Sequence, residues 1–354
     1  MTRRPVSRRA VLASGVGVGA ALAGCISTSA TPPNVSSEGS DEGASGPVLR
    51  SGGSSTVYPI VSTAAGYWST NEPYWHPDVY GIETQQHLAD YWAGLYGFGP
   101  ADGGAPPFSI RVSLSHSGTG LEKLRSGRLD MGNASAPVKA EFPDLSQSEL
   151  AKYTDHVVGV DAQPIVVSQA IYDAGITEIS AKTLKAIYQG EIENWRDVPG
   201  YSGPPKEIQA VGRAEGSGTD TAFRSNLFGN SNAPIPGVDI RKGENQQVKQ
   251  IVNGSDNAIA YMALAFVDDS VPSIALKAGG TTYTPGENLA EAGYPLARDL
   301  HCYTYDGTSK KEAALLRMLL SEYGQETFVA AAGYSVLPAD RRRNQTRKLP
   351  APTR

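Results

Sequence analysis

The stretch Gly212–Thr219, with the sequence GRAEGSGT, places the strongest constraint on how this chain can fold. It follows a short apolar run that is typical of a β-strand, and it precedes a segment with helical spacing. The glycines allow a sharp turn, and Ser217 and Thr219 stand where a helix N-cap is expected. The unpaired N–H groups of a helix start and the guanidinium of Arg213 would suit a tetrahedral oxyanion. We interpret the stretch as an oxyanion site in which Glu215 holds Arg213, with an ordinary surface turn and ion pair as the alternative.

The same pattern of strand, glycine or hydroxyl residues, and helix occurs twice more upstream. Gly52–Thr56 (GGSST) follows an apolar pair and opens a predicted helix, in which Pro59 is tolerated in the first turn. Ser115–Gly120 (SHSGTG) follows an alternating, strand-like run and opens another predicted helix. Three such junctions in one α/β chain can direct three helix N-termini at one point, which strengthens the oxyanion interpretation.

Length and composition limit the classes of protein that this chain can form. A chain of 354 residues with 40% apolar side chains suits two domains with real cores. The formal net charge of −5 argues against a nucleic-acid-binding protein. The five histidines are scattered and do not pair with another His or Cys at metal-ligand spacing, so no metal site is predicted.

The N-terminus is predicted to be a targeting segment. Ser7–Leu12 is a twin-arginine pattern, and the apolar run that follows is too short to span a bilayer. Leu22–Cys25 (LAGC) resembles a lipoprotein signal-peptidase site, so we predict a signal peptide at 1–24 and a lipidated Cys25. The alternative is a simple cleaved signal peptide with Cys25 incidental. Removing four arginines and no acidic residue with 1–24 would change the charge from −5 to −9.

Segments outside the junctions complete the predicted organisation. Residues 25–46 are rich in Ser, Thr, Pro and Gly and are predicted to form a flexible tether. Residues 69–107 are rich in aromatic residues, Gly and Pro, and are predicted to be an insertion packed on the first domain, with a docking or lid surface as the alternative. The chain is expected to cross between domains at 159–167 and to return at 258–263. The basic tail at 341–354 is expected to fray.

Several segments, taken together and in order, resemble the PstS family of phosphate-binding proteins that serve ATP-driven importers. The resemblance covers about residues 49–338, and the twin-arginine lipoprotein start and the long insertion are similar to the haloarchaeal branch. The segments are Gly53–Thr56 with Pro59, Ser117–Leu121, Asp130–Ser135, Ile187–Gly190 through Asn194–Trp195, Arg213–Thr219, Ala258–Tyr261 and Gly333–Tyr334.

The resemblance implies an α/β chain with the two-lobed type II periplasmic-binding-protein fold and a hinged cleft. Lobe I would comprise 47–163 and 264–340, including the insertion, and lobe II would comprise 164–263. The implied protein is a monomer without catalysis or a cofactor, anchored to the outer face of the cytoplasmic membrane through lipidated Cys25. Its implied partners are inorganic phosphate and the permease of an ABC importer, with no nucleic acid.

The resemblance also implies the ligand-binding residues. Arg213 would be the one charged donor, with Glu215 as its positioning partner. Well-studied members have an Asp where this chain has Ser135, and that carboxylate accepts the proton of phosphate and rejects sulfate. A serine hydroxyl both donates and accepts, so selectivity for phosphate is open. The remaining implied contacts are Ser55, Thr56 and Ser117 from lobe I, and Ser217, Gly218 and Thr219 from lobe II.

Two alternative functions remain open from the sequence. The same scaffold could bind another oxyanion, such as sulfate, molybdate or tungstate. The chain could instead be an exported serine hydrolase or phosphatase with Ser217 or Ser117 as its nucleophile. Against the hydrolase, the residue two before Ser217 is Glu215 rather than the Gly of a nucleophile elbow. A base is also missing unless His116, which neighbours Ser117, serves.

Overall fold

The computed structural model describes residues 47–289 and 293–353. The predicted signal peptide, the lipidated Cys25 and the tether therefore lie outside the described residues. In the described part of the chain, no helix has both the length and the apolar character needed to cross a membrane.

The described strands form two sheets. The strands are β1 (Val48–Ser54), β2 (Ser109–Ser115), β3 (Met131–Ala134), β4 (Tyr153–Ala162), β5 (Ile165–Val167), β6 (Glu178–Ser180), β7 (Gln209–Arg213), β8 (Ile240–Lys242), β9 (Ala258–Tyr261), β10 (Ser273–Ala278), β11 (Thr281–Tyr283) and β12 (Ala297–Tyr305). The first sheet has the order β2-β1-β3-β12-β4, in which β1 is parallel to β2 and β3, and β12 is antiparallel to β3 and β4. The second sheet has the order β11-β10-β5-β9-β7-β8, with β6 added parallel to β10.

Helices pack against both sheets. The first helix, Tyr58–Thr70, forms because its apolar residues recur at helical spacing and are buried on one face. It ends at Asn71, which adopts the left-handed conformation with φ 45°. Shorter 3₁₀ turns lie at Pro77–Tyr80, Asp102–Gly104, Trp195–Asp197 and Leu264–Phe266, and a π-helical turn at Gln325–Ala330. The helices are α1 (Tyr58–Thr70), α2 (Leu88–Gly94), α3 (Ser117–Arg125), α4 (Val138–Glu141), α5 (Gln147–Leu150), α6 (Gln169–Asp173), α7 (Ala181–Gln189), α8 (Gly218–Phe228), α9 (Asn245–Gly254), α10 (Lys310–Leu320), α11 (Glu322–Gly324) and α12 (Ala339–Thr346).

The two sheets define two lobes, joined by paired crossing strands. The first crossing lies where predicted, between the end of β4 at Ala162 and the start of β5 at Ile165. The return crossing is β12, which pairs with β4 so that Ala297 faces Ala162. Two adjacent crossings of this kind form the hinge expected of a two-lobed binding protein.

The predicted boundaries of lobe II were wrong at its C-terminal end. The segment 258–261, expected to be the return crossing, is β9 in the middle of the second sheet. Strands β10 and β11 also join the second sheet, although 264–340 was assigned to lobe I. The second lobe therefore continues to about residue 296. Its core includes Tyr283, Tyr294 and Leu296, which pack with the apolar residues of β5 and β9.

The aromatic insertion packs onto the first lobe, as predicted. Trp75, Trp92 and Tyr96 are buried in the same core as the apolar face of α1. The Nε1 of Trp75 donates to the carbonyl of Gln86 at 3.1 Å, which closes the loop between these two residues inside the insertion. The insertion is therefore part of the first lobe's core.

The expectation that the basic tail frays was wrong. Residues 339–346 form α12, and the amide oxygen of Gln345 accepts a hydrogen bond from the buried backbone N–H of Val157 at 3.1 Å. Leu349 is buried in the first lobe's core, and the backbone N–H of Thr353 donates to the carbonyl of Leu95. Buried apolar and hydrogen-bonded groups order this segment in spite of its positive charge.

Candidate functional site

Three helices begin where three strands end, at the cleft between the lobes. Helix α1 follows β1, α3 follows β2 and α8 follows β7, so each of the predicted junctions is found. Helix α8 starts at Gly218, with Ser217 as its N-cap residue, and Ser217 is buried. The amino ends of these helices carry N–H groups without partners inside the helix and the positive end of the dipole. Their convergence produces a site with a preference for negative charge.

The predicted hydroxyl residues meet across the cleft. Thr56 Oγ1, in the first lobe, lies 3.2 Å from Thr219 Oγ1, in the second. Within the first lobe, the Oγ of Ser117 accepts from the backbone N–H of Ser135 at 3.1 Å and lies 3.5 Å from its hydroxyl. Gly218 approaches this pair so closely that an added Cβ would lie 2.3 Å from Ser117 Oγ and 2.7 Å from Ser135 Oγ. The fold thus gathers these side chains from both lobes into one place.

Arg213 is buried at the end of β7 and reaches across to the first lobe. Its Nε donates to the carbonyl of Lys242, and its Nη1 donates to Asn245 Oδ1 at 2.6 Å. Its Nη2 donates to the carbonyl of Gly243 and to Ser55 Oγ, the latter at 3.3 Å. Burial lowers the pKa of Arg213 to about 10, which still leaves the guanidinium charged near neutral pH. All of these partners are neutral, so they satisfy its hydrogen bonds without cancelling its charge.

The predicted positioning role of Glu215 is wrong. Glu215 is exposed, beyond the end of β7, where Gly216 turns the chain with φ 74°. Asn245, at the start of α9, holds the guanidinium instead. The sequence contained no direct signal for this, because Asn245 is one polar residue among several at the start of a predicted helix.

Arg298 is a second buried guanidinium in the site, and sequence reasoning missed it. On β12 it faces Asp161 of β4, and its Nη2 lies 2.7 Å from Asp161 Oδ2. The other N–H of the same nitrogen is shared between Thr56 Oγ1, at 3.2 Å, and Thr219 Oγ1, at 3.1 Å. The available signal was weak, because Arg298 and Asp161 are each one of several polar or charged residues in their strands. Because Asp161 neutralises it, Arg298 contributes hydrogen bonds rather than net charge.

Carboxyl groups border the site but do not pair with Arg213. Asp220, on α8, is engaged by Arg224 at 2.5 Å and by the hydroxyl of Tyr261. Glu141, on α4, is close to Gly118. Burial raises the pKa of Glu141 to about 8; a hydrogen bond with Thr221 opposes this, and the charge of Asp220 adds to it. Glu141 is therefore neutral near pH 7, and Arg213 supplies the site's excess positive charge.

Among residues 47–289 and 293–353, no group of three or more His, Cys, Asp and Glu side chains is arranged to hold a metal ion. The converging groups are hydroxyls, helix N-termini and guanidinium N–H groups, which are the donors that bind oxyanions.

Two lobes joined by paired crossings, with an anion-attracting site between them, define a two-lobed ligand-binding protein. Residues 27–326 match the family described as the PBP superfamily domain, and the chain belongs to that family. It has the two-lobed type II fold of periplasmic binding proteins. Relatives that are PstS phosphate-binding proteins confirm the resemblance that the sequence motifs indicated.

Several proteins that are similar to this chain are named as phosphate-binding or phosphate-transport proteins. The chain is 29% identical over 231 residues to the phosphate-binding protein PstS of Bacillus subtilis, covering 65% of this chain and 71% of the relative. It is 26% identical over 251 residues to PstS of Staphylococcus saprophyticus, covering 68% and 76%. Among solved structures, an ABC-type phosphate transport receptor from Vibrio cholerae has a TM-score of 0.55 and 23% identity, covering 82% of this chain and all of that one.

Proposed function

We propose that this protein captures inorganic phosphate between its two lobes, outside the cytoplasmic membrane, and delivers it to an ABC importer. The observation that carries the proposal is the buried guanidinium of Arg213, whose hydrogen-bond partners are all neutral. A buried cation without a counter-ion is costly, and an oxyanion in the cleft would compensate it. The names of the PstS relatives support phosphate as that anion.

The proposed division of roles follows the two lobes. The first lobe contributes hydroxyl and N–H donors at the starts of α1 and α3. The second contributes Arg213 and the start of α8, so that the bound anion joins the lobes. The proposed ligand-binding residues are Ser55, Thr56, Ser117, Ser135, Arg213, Ser217, Gly218 and Thr219.

We infer that the protein binds and does not catalyse. The hydrolase alternative needs His116 as a base for Ser117. The ring of His116 instead packs over Gly243, where an added Cβ would lie 3.0 Å from its Cε1, and its Nδ1 lies 3.9 Å from a carboxylate oxygen of Glu244. This placement directs the imidazole toward the second lobe's β8–α9 loop and supports a binding role for Ser117.

The proposed location rests on the sequence. The twin-arginine pattern and the Leu22–Cys25 site support export and a lipid anchor at Cys25, which would hold the monomeric protein near the permease. Mass spectrometry of the membrane fraction would test this: a diacylglyceryl thioether on an N-terminal Cys25 is expected, and an unmodified Cys25 would contradict the anchor.

Sulfate is the second candidate ligand, and Ser135 is the observation that favours it. Ser54 Oγ donates to Ser135 Oγ at 3.0 Å, so this part of the site consists of hydroxyls rather than a carboxylate. Hydroxyls do not repel a fully ionised oxyanion, whereas a carboxylate does.

Calorimetric titration of the full chain, refolded to remove carried-over ligand, tests the proposal. We expect tight phosphate binding with at least about tenfold weaker sulfate binding, equivalent to about 1.4 kcal/mol. Comparable binding of both anions would favour a relaxed oxyanion receptor. Failure to bind either anion would refute the proposed function.

A further inference from the structure

Asn245 connects the two lobes at the candidate site. It is fully buried, and its Oδ1 accepts from Arg213 Nη1 at 2.6 Å and from the backbone N–H of Ala263 at 3.2 Å. Its Nδ2 donates to Ser55 Oγ at 3.2 Å and to Thr56 Oγ1 at 3.3 Å. A guanidinium and a backbone amide can only donate, so they fix which end of the Asn245 amide is the oxygen.

The orientation of the Asn245 amide determines whether the Ser55 and Thr56 hydroxyls donate or accept hydrogen bonds. Ser55 Oγ receives N–H groups from Asn245 and from Arg213 Nη2, the latter at 3.3 Å. Thr56 Oγ1 receives N–H groups from Asn245 and from Arg298 Nη2, the latter at 3.2 Å. A hydroxyl has two acceptor lone pairs and one hydrogen. Both lone pairs of Ser55 are engaged by groups that cannot accept, so Ser55 must donate its hydrogen. One N–H of Arg298 Nη2 points to Asp161 and the other is shared between Thr56 and Thr219; together with the N–H of Asn245 it favours the same donor state for Thr56.

The hydrogen bonds of Thr56 also limit the hydroxyl of Thr219, in the second lobe. Thr219 Oγ1 accepts from Arg298 Nη2 at 3.1 Å and lies 3.2 Å from Thr56 Oγ1. If Thr56 donates to Thr219, both lone pairs of Thr219 are engaged, and Thr219 must donate in turn. If Thr56 does not, it donates to the ligand directly. In both cases one hydroxyl of this pair has a hydrogen left to donate to an oxygen of a bound anion.

We propose that Asn245 is a positioning residue that determines specificity: it holds the Ser55 and Thr56 hydroxyls as donors and so leaves no hydroxyl acceptor at this end of the site for a hydrogen of the ligand. The inference rests on the proposed oxyanion-binding function and adds to it the residue that sets the direction of the hydrogen bonds. Any protonated oxygen of the ligand then has to face another part of the site.

The variant Asn245→Asp tests the proposal because it keeps the shape and reverses the polarity. Its second carboxylate oxygen would accept from Ser55 and Thr56 and withdraw their hydrogens from the ligand. We expect phosphate to bind about 100-fold more weakly. The ligand-free Tm should be equal or higher, since the new carboxylate compensates the Arg213 charge. A purely structural role predicts that Tm falls together with affinity.

A double variant separates hydrogen-bond direction from the added charge. In the S55A/T56V background the hydroxyls are absent, so the loss caused by N245D should be at least about tenfold smaller than in the wild type. An equal loss in both backgrounds would show that charge alone acts and would overturn the inference. Asn253→Asp, an exposed position on the same helix, is the matched control and should bind within about twofold of wild type.

Three further outcomes show whether this inference, the proposed function or both fail. If wild-type protein binds phosphate and N245D binds it equally well, only the inference fails. If wild-type protein binds sulfate but not phosphate, phosphate as the ligand fails, and the same variants titrated with sulfate decide the inference by the same criteria. If wild-type protein binds neither anion, both fail.

Discussion

Arg298 and Asp161 form a buried ion pair between the two strands that cross from one lobe to the other. The residues face each other in the β4–β12 ladder, and both Nε and Nη2 of Arg298 donate to Asp161 Oδ2, at 2.9 and 2.7 Å. Nη1 of the same guanidinium donates to the carbonyl of Gly218 in the second lobe at 3.1 Å. The ion pair therefore joins the hinge to the start of α8 without adding net charge to the cleft.

Removing the counter-ion should destabilise the protein. In Asp161→Asn the Arg298 guanidinium remains buried without a carboxylate, and we expect the free energy of unfolding to fall by about 3–5 kcal/mol. Urea denaturation of the ligand-free protein measures this. Asp256→Asn is the control, because the Lys206–Asp256 pair is on the surface, with Asp256 74% exposed, and its loss should have little effect. Equal effects of the two variants would contradict the assignment.

Removing the charge of Arg213 should affect the ligand rather than the fold. In Arg213→Ala the cleft loses its excess positive charge, and we expect phosphate affinity to fall by at least about 100-fold. The ligand-free Tm should change little, because a costly buried cation is lost together with its hydrogen bonds. Calorimetry and thermal unfolding give the two values. Exposed Arg196→Ala is the control, and binding by R213A close to wild-type strength would refute the site.

A methyl group at Gly218 should obstruct the closed cleft. The added Cβ would lie 2.3 Å from Ser117 Oγ and 2.7 Å from Ser135 Oγ, both in the opposite lobe. We expect Gly218→Ala to weaken phosphate binding by roughly 5- to 150-fold through overpacking. Gly118→Ala is the matched control, because its Cβ would meet no atom closer than 3.4 Å in the described residues. Similar titration curves for the two variants would count against the closed geometry.

Glu141 should make stability depend on pH. Its pKa is raised from 4.5 to about 8 in the folded protein, mainly by burial, so between these values the folded state holds a proton that the unfolded state has lost. Stability therefore falls as pH rises from about 4.5 to about 8 and then levels off. Glu141→Gln should match wild type near pH 5 and be more stable at pH 8.5 in urea unfolding. Parallel curves for the two proteins would exclude this role.

Local patterns in the sequence were sufficient for the three junctions. Strand, turn and helix signals lie within a few residues of one another, and glycine and hydroxyl residues act on their immediate neighbours. The same reasoning failed for Glu215, because Gly216 turns the chain so that the carboxylate faces solvent although it lies two residues from Arg213. It also failed for β10 and β11, because apolar strands of either lobe have the same composition and only pairing assigns them to a sheet.

The amino-acid sequence by itself determined the α/β character, the three helix starts and the presence of Arg213 at one of them, because these depend on short-range backbone preferences. Only the tertiary structure decided which groups hold that arginine and balance the remaining charge. Asn245, Asp161 and Arg298 are distant from one another in the chain and meet through strand pairing and lobe contact. Desolvation and hydrogen-bond direction at the site depend on that three-dimensional arrangement, which no local pattern encodes.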